Sequence, residues 1–143
     1  MLQLRILAVG TLKEPFWHDA MAEYEKRIGG YARLAVREVR TDRELLPILA
    51  QSPRACKIAL CVEGSLLSSE ALAERLGSLS VRGVSEVIFV IGGADGMGED
   101  VKAACDFRLS FSPMTFPHTM MRVILAEQLY RALTILHNGR YHK

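Results

Sequence analysis

Five short apolar runs, several rich in β-branched residues, alternate with segments of helical period, and this alternation constrains the fold more than any other feature of the 143-residue chain. The runs are Leu2 to Val9, Ala35 to Val39, Lys57 to Val62, Glu86 to Ile91 and Phe107 to Phe111, and they read as strands. Between and after them, Glu14 to Arg27, Arg43 to Ala50, Ser69 to Leu79, Met97 to Cys105 and Thr119 to His137 read as helices. In the first helix Phe16, Ala20 and Tyr24 fall on one face, with Trp17 and Met21 alongside. Ser68 or Ser69 caps the third, and Glu70 puts an acid in its first turn. Strands alternating with helices predict an α/β domain with a mostly parallel sheet covered on both faces, the runs IALCV and VIFVI lying in its middle. Gln51-Ser52-Pro53-Arg54 reads as a loop, so the expectation is one domain over 1–143.

The composition narrows the function classes. Half of the residues are apolar, with 11 Gly and 5 Pro, which excludes a disordered or collagen-like chain. Three cysteines, Cys56, Cys61 and Cys105, form no CxxC pair and fit a reducing compartment rather than a disulfide framework or structural zinc. No run approaches the ~20 apolar residues of a membrane span, and the start of the chain carries no cleavable leader pattern. The expectation is a cytoplasmic protein without metal. Net charge is only +2, but residues 107–143 hold five basic residues and one acid, and three of the four histidines. That cationic end suits phosphate.

Familiar catalytic signatures are absent. The turn after the first strand, Gly10-Thr11-Leu12-Lys13, has a single glycine, which argues against a dinucleotide fingerprint. There is no P-loop, HExxH or GxSxG motif. The glycines cluster late, in Ile91-Gly92-Gly93-Ala94-Asp95-Gly96-Met97-Gly98, at the carboxyl end of a predicted parallel strand, where open α/β sheets bind ligands. The following segment, LSFSPMTFPH, carries Phe111, Met114 and Phe116, which are expected to be buried against the glycine turn and to wall a pocket for a flat apolar ring. A tight turn and a crossover packed on the sheet would explain the two segments equally well.

In the fifth helix Arg122 is the only polar residue from 120 to 126. A helix apolar on nearly every side needs burial on nearly every side, which predicts a homodimer through it. Arg122 opposes the helix dipole and is costly if unpaired; a phosphate, a substrate carbonyl or a salt bridge to Glu127 would compensate it. The terminal Arg140-Tyr141-His142-Lys143, past a helix stop at Asn138-Gly139, combines an aromatic ring, an imidazole and two cations, a device for stacking on a base and holding a phosphate, unless it is simply a frayed end.

IGGADG after a strand, then LSFSPMTFPH, RVILAEQLYRA and a terminal YHK, together with the opening MLQLRILAVGTLKEPF and the total length, resemble the RlmH family of SPOUT methyltransferases, which methylate N3 of a pseudouridine in 23S rRNA. Cys61 and Ser65 depart from the family's usual acidic and basic residues, and Arg140 stands where proline is frequent. The resemblance implies a SPOUT-type α/β-knot, a mostly parallel sheet flanked by helices with a C-terminal trefoil knot, which no periodicity could have suggested. It implies S-adenosyl-L-methionine as cofactor, with contacts at Leu60, Gly92, Phe111, Ser112, Pro113, Met114, Thr115 and Phe116, and a homodimer whose sites are each completed by the partner chain, acting on assembled ribosomes. For the catalytic residues it leads to His142 as base or positioner, Tyr141 stacking on the target base, Arg122 stabilising developing charge or a phosphate, and His118 as the rival base. The competing readings are a SPOUT enzyme acting on tRNA, a noncatalytic ribosome-associated module and, more remotely, a flavodoxin- or receiver-like module.

Overall fold

In a computed structural model describing residues 2–143, five parallel strands form one sheet in the order β2-β1-β4-β3-β5. The strands are β1 (Gln3–Val9), β2 (Arg33–Val39), β3 (Cys56–Leu66), β4 (Glu86–Ile91) and β5 (Phe107–Ser110). The helices are α1 (Pro15–Ile28), α2 (Leu45–Ala50), α3 (Ser69–Val81), α4 (Glu99–Ala103) and α5 (His118–Leu136), with a short 3-10 turn over Asp42–Glu44.

Alternation along the central strands sorts the core into two layers. Leu4, Ile6 and Ala8 of β1 and Val87, Phe89 and Ile91 of β4 pack with α3 and α5 residues such as Leu76, Leu125 and Leu129. Leu7 of β1 and Ile88 and Val90 of β4 point to the opposite face, against Leu45, Ile48 and Leu49 of α2 and Val101 of α4. β4, buried along nearly all its length, is the continuous apolar run a doubly covered strand requires.

Several boundaries move for local reasons. β3 continues to Leu66, and its register against β5 shifts between Leu60 and Ser65, both of which align with Leu109. Gly64 permits this: a Cβ there would lie 2.7 Å from the Leu109 backbone. The helix expected from Arg43 is split, a 3-10 turn preceding an α2 that begins at Leu45 and holds Pro47 in its first turn, where a missing N–H is tolerated. The expected helix from Met97 starts only at Glu99, because Gly98 is extended and gives its N–H to Asp42 Oδ2 at 2.6 Å. Ser68, rather than Ser69, caps α3 by accepting from the Ala71 N–H at 3.0 Å. Phe16 is 60% exposed instead of buried: a spacing-four row drifts around the helix by about 40° per step, and the stripe turned inward contains Trp17, Met21, Tyr24 and Ile28.

α5 lies between α1 and α3 on one face of the sheet. Leu125, Ala126, Leu129, Ala132 and Leu133 are buried, while Met120, Val123 and Ile124 are half-buried. The helix ends where Asn138 takes the left-handed conformation, φ 58°, and the Gly139 N–H donates to the Thr134 carbonyl at 2.7 Å.

Candidate active site

The carboxyl ends of β3, β4 and β5 meet at a cleft of about 630 Å³, within the range of small-molecule sites. Leu60 and Cys61 supply one wall and the glycine turn after β4 another. The 111–117 segment closes it through Phe111, Ser112, Met114, Thr115 and Phe116, with His118 and Met121 at the start of α5. Of the residues singled out in the sequence as cofactor contacts, seven line this cleft; Pro113 does not.

The glycines here answer a steric demand. A Cβ on Gly92 would lie 2.8 Å from the Gly96 backbone, because the turn doubles back on itself through a Gly96 N–H to Gly93 carbonyl bond of 3.0 Å. Gly96 has φ +85°, in the left-handed region glycine enters freely. The opposite segment is braced by serines: the Ser112 N–H donates to Ser110 Oγ at 3.3 Å and the Met114 N–H to Ser112 Oγ at 3.0 Å. Phe111 and Phe116 are half-buried, as an aromatic wall requires, but Met114 is 71% exposed. The serine-braced turn carries it to the outer rim, correcting the expectation that it is buried.

Two charged residues at the rim carry no motif. Lys102 of α4 forms a short ion pair with Glu63 of β3, and both line the cleft. The hydrogen bond raises the Lys102 ammonium and lowers the Glu63 carboxyl, so both stay ionised. Burial pushes the Cys61 thiol up, and nearby Glu63 adds to that. The only sequence signal for this pair was its position, at the end of β3 and in the helix that follows the glycine turn.

Arg122 is buried, at 2% exposure, and its partner is not Glu127. One Nη makes a short ion pair with Glu38 of β2 and the other donates to the Gly10 carbonyl at 3.2 Å. Its Nε has no hydrogen-bond partner among the described residues. Glu127 is instead held by Arg131, with Nη2 to Oε2 at 2.6 Å, and by the Tyr141 hydroxyl at 2.7 Å. A salt bridge to Glu127, one of the three ways of compensating Arg122, does not form within the chain: a spacing of five on a helix points two side chains in different directions, and Arg122 faces the sheet and Glu38.

The chain end folds onto α5 and α3. The Tyr141 ring meets Tyr130 edge-on at 4.6 Å, and Arg131 lies over it at 4.8 Å. His142 Nδ1 is 3.0 Å from Arg131 Nη1 and its Nε2 is 2.6 Å from Glu70 Oε1. Neither Tyr141 nor His142 lines the 630 Å³ cleft of the same chain; of the four residues singled out as catalytic, only His118 does. Among the described residues no group of three or more His, Cys, Asp or Glu could hold a metal ion, and no helix is long and apolar enough to cross a membrane.

A family model described as "Predicted SPOUT methyltransferase" matches residues 2–142. Among solved structures, the chain is similar to the SpoU methyltransferase AviRb from Streptomyces viridochromogenes in complex with AdoMet, with 11% identity and a TM-score of 0.55 over 97% of this chain and 59% of that one. It is also similar to a probable methylase family protein from Haemophilus influenzae Rd KW20, with 14% identity and a TM-score of 0.61 over 98% of this chain and 70% of that one. The chain thus spans under two thirds of the AviRb length, and at these identities the likeness is one of fold.

Proposed function

The chain belongs to the SPOUT methyltransferase family, and we propose that it transfers a methyl group from S-adenosylmethionine to N3 of a pseudouridine in the 23S rRNA of assembled ribosomes. The observation that carries this reading is the convergence of Leu60, Gly92 and the Phe111–Phe116 segment on one cleft, the segments that the RlmH-like motifs mark for the cofactor. The donor set suits S-adenosylmethionine: half-buried Phe111 and Phe116 and buried Leu60, Ile91 and Leu109 offer apolar surface to a purine, and the glycine turn brings backbone close where a Cβ would clash. AviRb, which shares the fold, holds AdoMet.

When bound, the cofactor supplies an already activated methyl group, so the protein's work is alignment and removal of one proton. The bound cofactor would supply its methyl group to N3 and leave as the neutral thioether, and an imidazole of the chain would take up the N3 proton. His142 is the assigned base or positioner and His118 its rival. Tyr141 stacks on the target base, and Arg122, committed to Glu38 and the Gly10 carbonyl, holds the loop after β1 rather than touching the substrate. Because His142 and Tyr141 stand away from the cleft of their own chain, this reading needs a homodimer in which the tail reaches the partner's cleft. Half-buried Met120, Val123 and Ile124 on α5 support that assembly, and the reading includes a knotted path for the C-terminal segment and a cytoplasmic location.

Labelled S-adenosylmethionine incubated with ribosomes lacking the modification, followed by mapping of the labelled nucleotide, tests the proposal. Label on N3 of a 23S rRNA pseudouridine is expected. Label on tRNA alone would overturn the substrate, and cofactor binding without transfer to either would overturn the ribosomal reaction.

A further inference from the structure

A second cleft, about 760 Å³ in volume, adjoins the first and shares with it His118 and the turn residues Gly93, Ala94, Gly96 and Met97. It opens at the carboxyl ends of β1 and β4, adjacent parallel strands. The helix after β1 packs on one face of the sheet with α5, whereas the helix after β4 packs on the other with α2. Neighbouring strands whose connections leave to opposite faces open a crevice between their ends, the place where open α/β sheets take up ligands. Nothing derived so far from the cofactor reading fills it.

Its chemistry differs from that of the cofactor cleft. Lys13, from the loop after β1, and Arg40, from the end of β2, are both exposed, and neither has an ionic partner among the described residues. Of its three acids, Asp42 is committed to the Gly98 N–H, while Glu14 and Asp95 remain as acceptors. Two cations beside two carboxylates do not make a general polyanion trough. They suit one phosphodiester attached to a base with ring N–H donors, which is the form of a pseudouridine nucleotide. His118, on the wall shared with the cofactor cleft, makes no side-chain hydrogen bond or ion pair with another described residue, whereas both ring nitrogens of His142 are engaged. Gly10, at φ +99°, lets the β1 loop close on His118, its Cβ position lying 3.7 Å from Nε2.

We propose that this crevice seats the acceptor nucleotide, with Lys13 and Arg40 on its phosphate and His118 beside its base at the boundary with the cofactor cleft. The inference rests on the methyl-transfer reading above and adds to it where the substrate lies.

Steady-state transfer to assembled ribosomes lacking the modification, paired with calorimetric binding of S-adenosylmethionine, tests it on the full chain. For a Lys13→Ala/Arg40→Ala double variant, cofactor affinity within twofold of the parent shows that fold and first cleft are intact, and the KM for ribosomes is expected to rise roughly tenfold with a shallower salt dependence. His118→Gln, assayed at saturating cofactor, is expected to lower the single-turnover rate without that rise in KM. An unchanged KM in the double variant overturns the acceptor site. A parent protein that binds the cofactor yet transfers nothing to assembled ribosomes overturns the methyl-transfer reading itself, and the acceptor assignment with it.

Discussion

Arg122 and Glu38, 84 residues apart in the chain, form an ion pair between a buried guanidinium and a carboxylate that solvent reaches, and the Glu38 carboxylate that accepts from the guanidinium also accepts the Leu12 N–H at 3.2 Å. With the second Arg122 Nη on the Gly10 carbonyl, α5 and β2 together clamp the loop that follows β1. That loop is one wall of the second cleft, so the pair joins the fold's stability to the shape of the site.

Removing the acid leaves a buried cation without a counter-charge, whereas removing the cation leaves a carboxylate that water reaches. Glu38→Ala is therefore expected to destabilise by about 3 kcal/mol and to lower the melting temperature by roughly 10 °C. Arg122→Met should cost clearly less. Thermal and urea unfolding of both variants checks the order; equal losses would contradict it.

Gly92→Ala places a methyl group where the Gly96 backbone lies 2.8 Å away, which backbone relieves only by opening the turn. Cofactor affinity is expected to fall by at least about tenfold, equivalent to ~1.4 kcal/mol. Gly83→Ala serves as control: unlike Gly92 it has positive φ, and among the described residues nothing lies within 4 Å of its Cβ position, so the change should reduce stability while leaving cofactor affinity as it is. Calorimetric titration of both proteins separates the effects.

All three thiols are shifted upward, burial being the first cause in each, and Cys105 reaches about 11. Since the thiolate is the reactive form, alkylation at neutral pH should be slow, with Cys105 the slowest. Only Cys61 lines the first cleft. S-adenosylmethionine should therefore slow labelling of Cys61 and leave Cys56 and Cys105 unaffected, as a mass-spectrometric time course would show.

Burial alone would raise the Glu127 carboxyl, but hydrogen bonds from Arg131 and Tyr141 hold it below its ordinary 4.5. A carboxyl with a lowered folded value contributes stability that is present above pH 4.5 and lost as pH falls through that lowered value. Tyr141 shifts the other way, raised by burial and then by Glu127, so its contribution is complete below pH 10 and is lost progressively as pH rises from 10 toward the raised value. Urea midpoints across pH should decline at both ends, and Tyr141→Phe should flatten the alkaline decline and lessen the acidic one.

The alternation of apolar runs and amphipathic segments made the parallel α/β architecture legible from residues alone, because both periodicities are local and each strand declares its own burial. The glycine turn was legible for a similar reason: four glycines in seven residues mark backbone that side chains cannot occupy, and Gly92 and Gly96 show that constraint. The seven lining residues shared by the first cleft and the sequence reading came from that turn, from one loop and from a resemblance to RlmH motifs.

Other features depend on distances that no local pattern encodes. Arg122 selects Glu38 over Glu127 because the direction of its side chain on α5, and the place of β2 under it, arise only when helix and sheet pack. Lys13, Arg40 and His118 lie far apart in sequence and share a cleft because the strand order places β1 beside β4. The Glu63–Lys102 pair exists because β3 overruns its expected end. Sequence by itself determined which segments are strands, helices and turns, since those follow from propensity and period; which charges meet, and at which strand ends a cavity opens, was decided by topology, which sets contacts between residues the chain keeps apart.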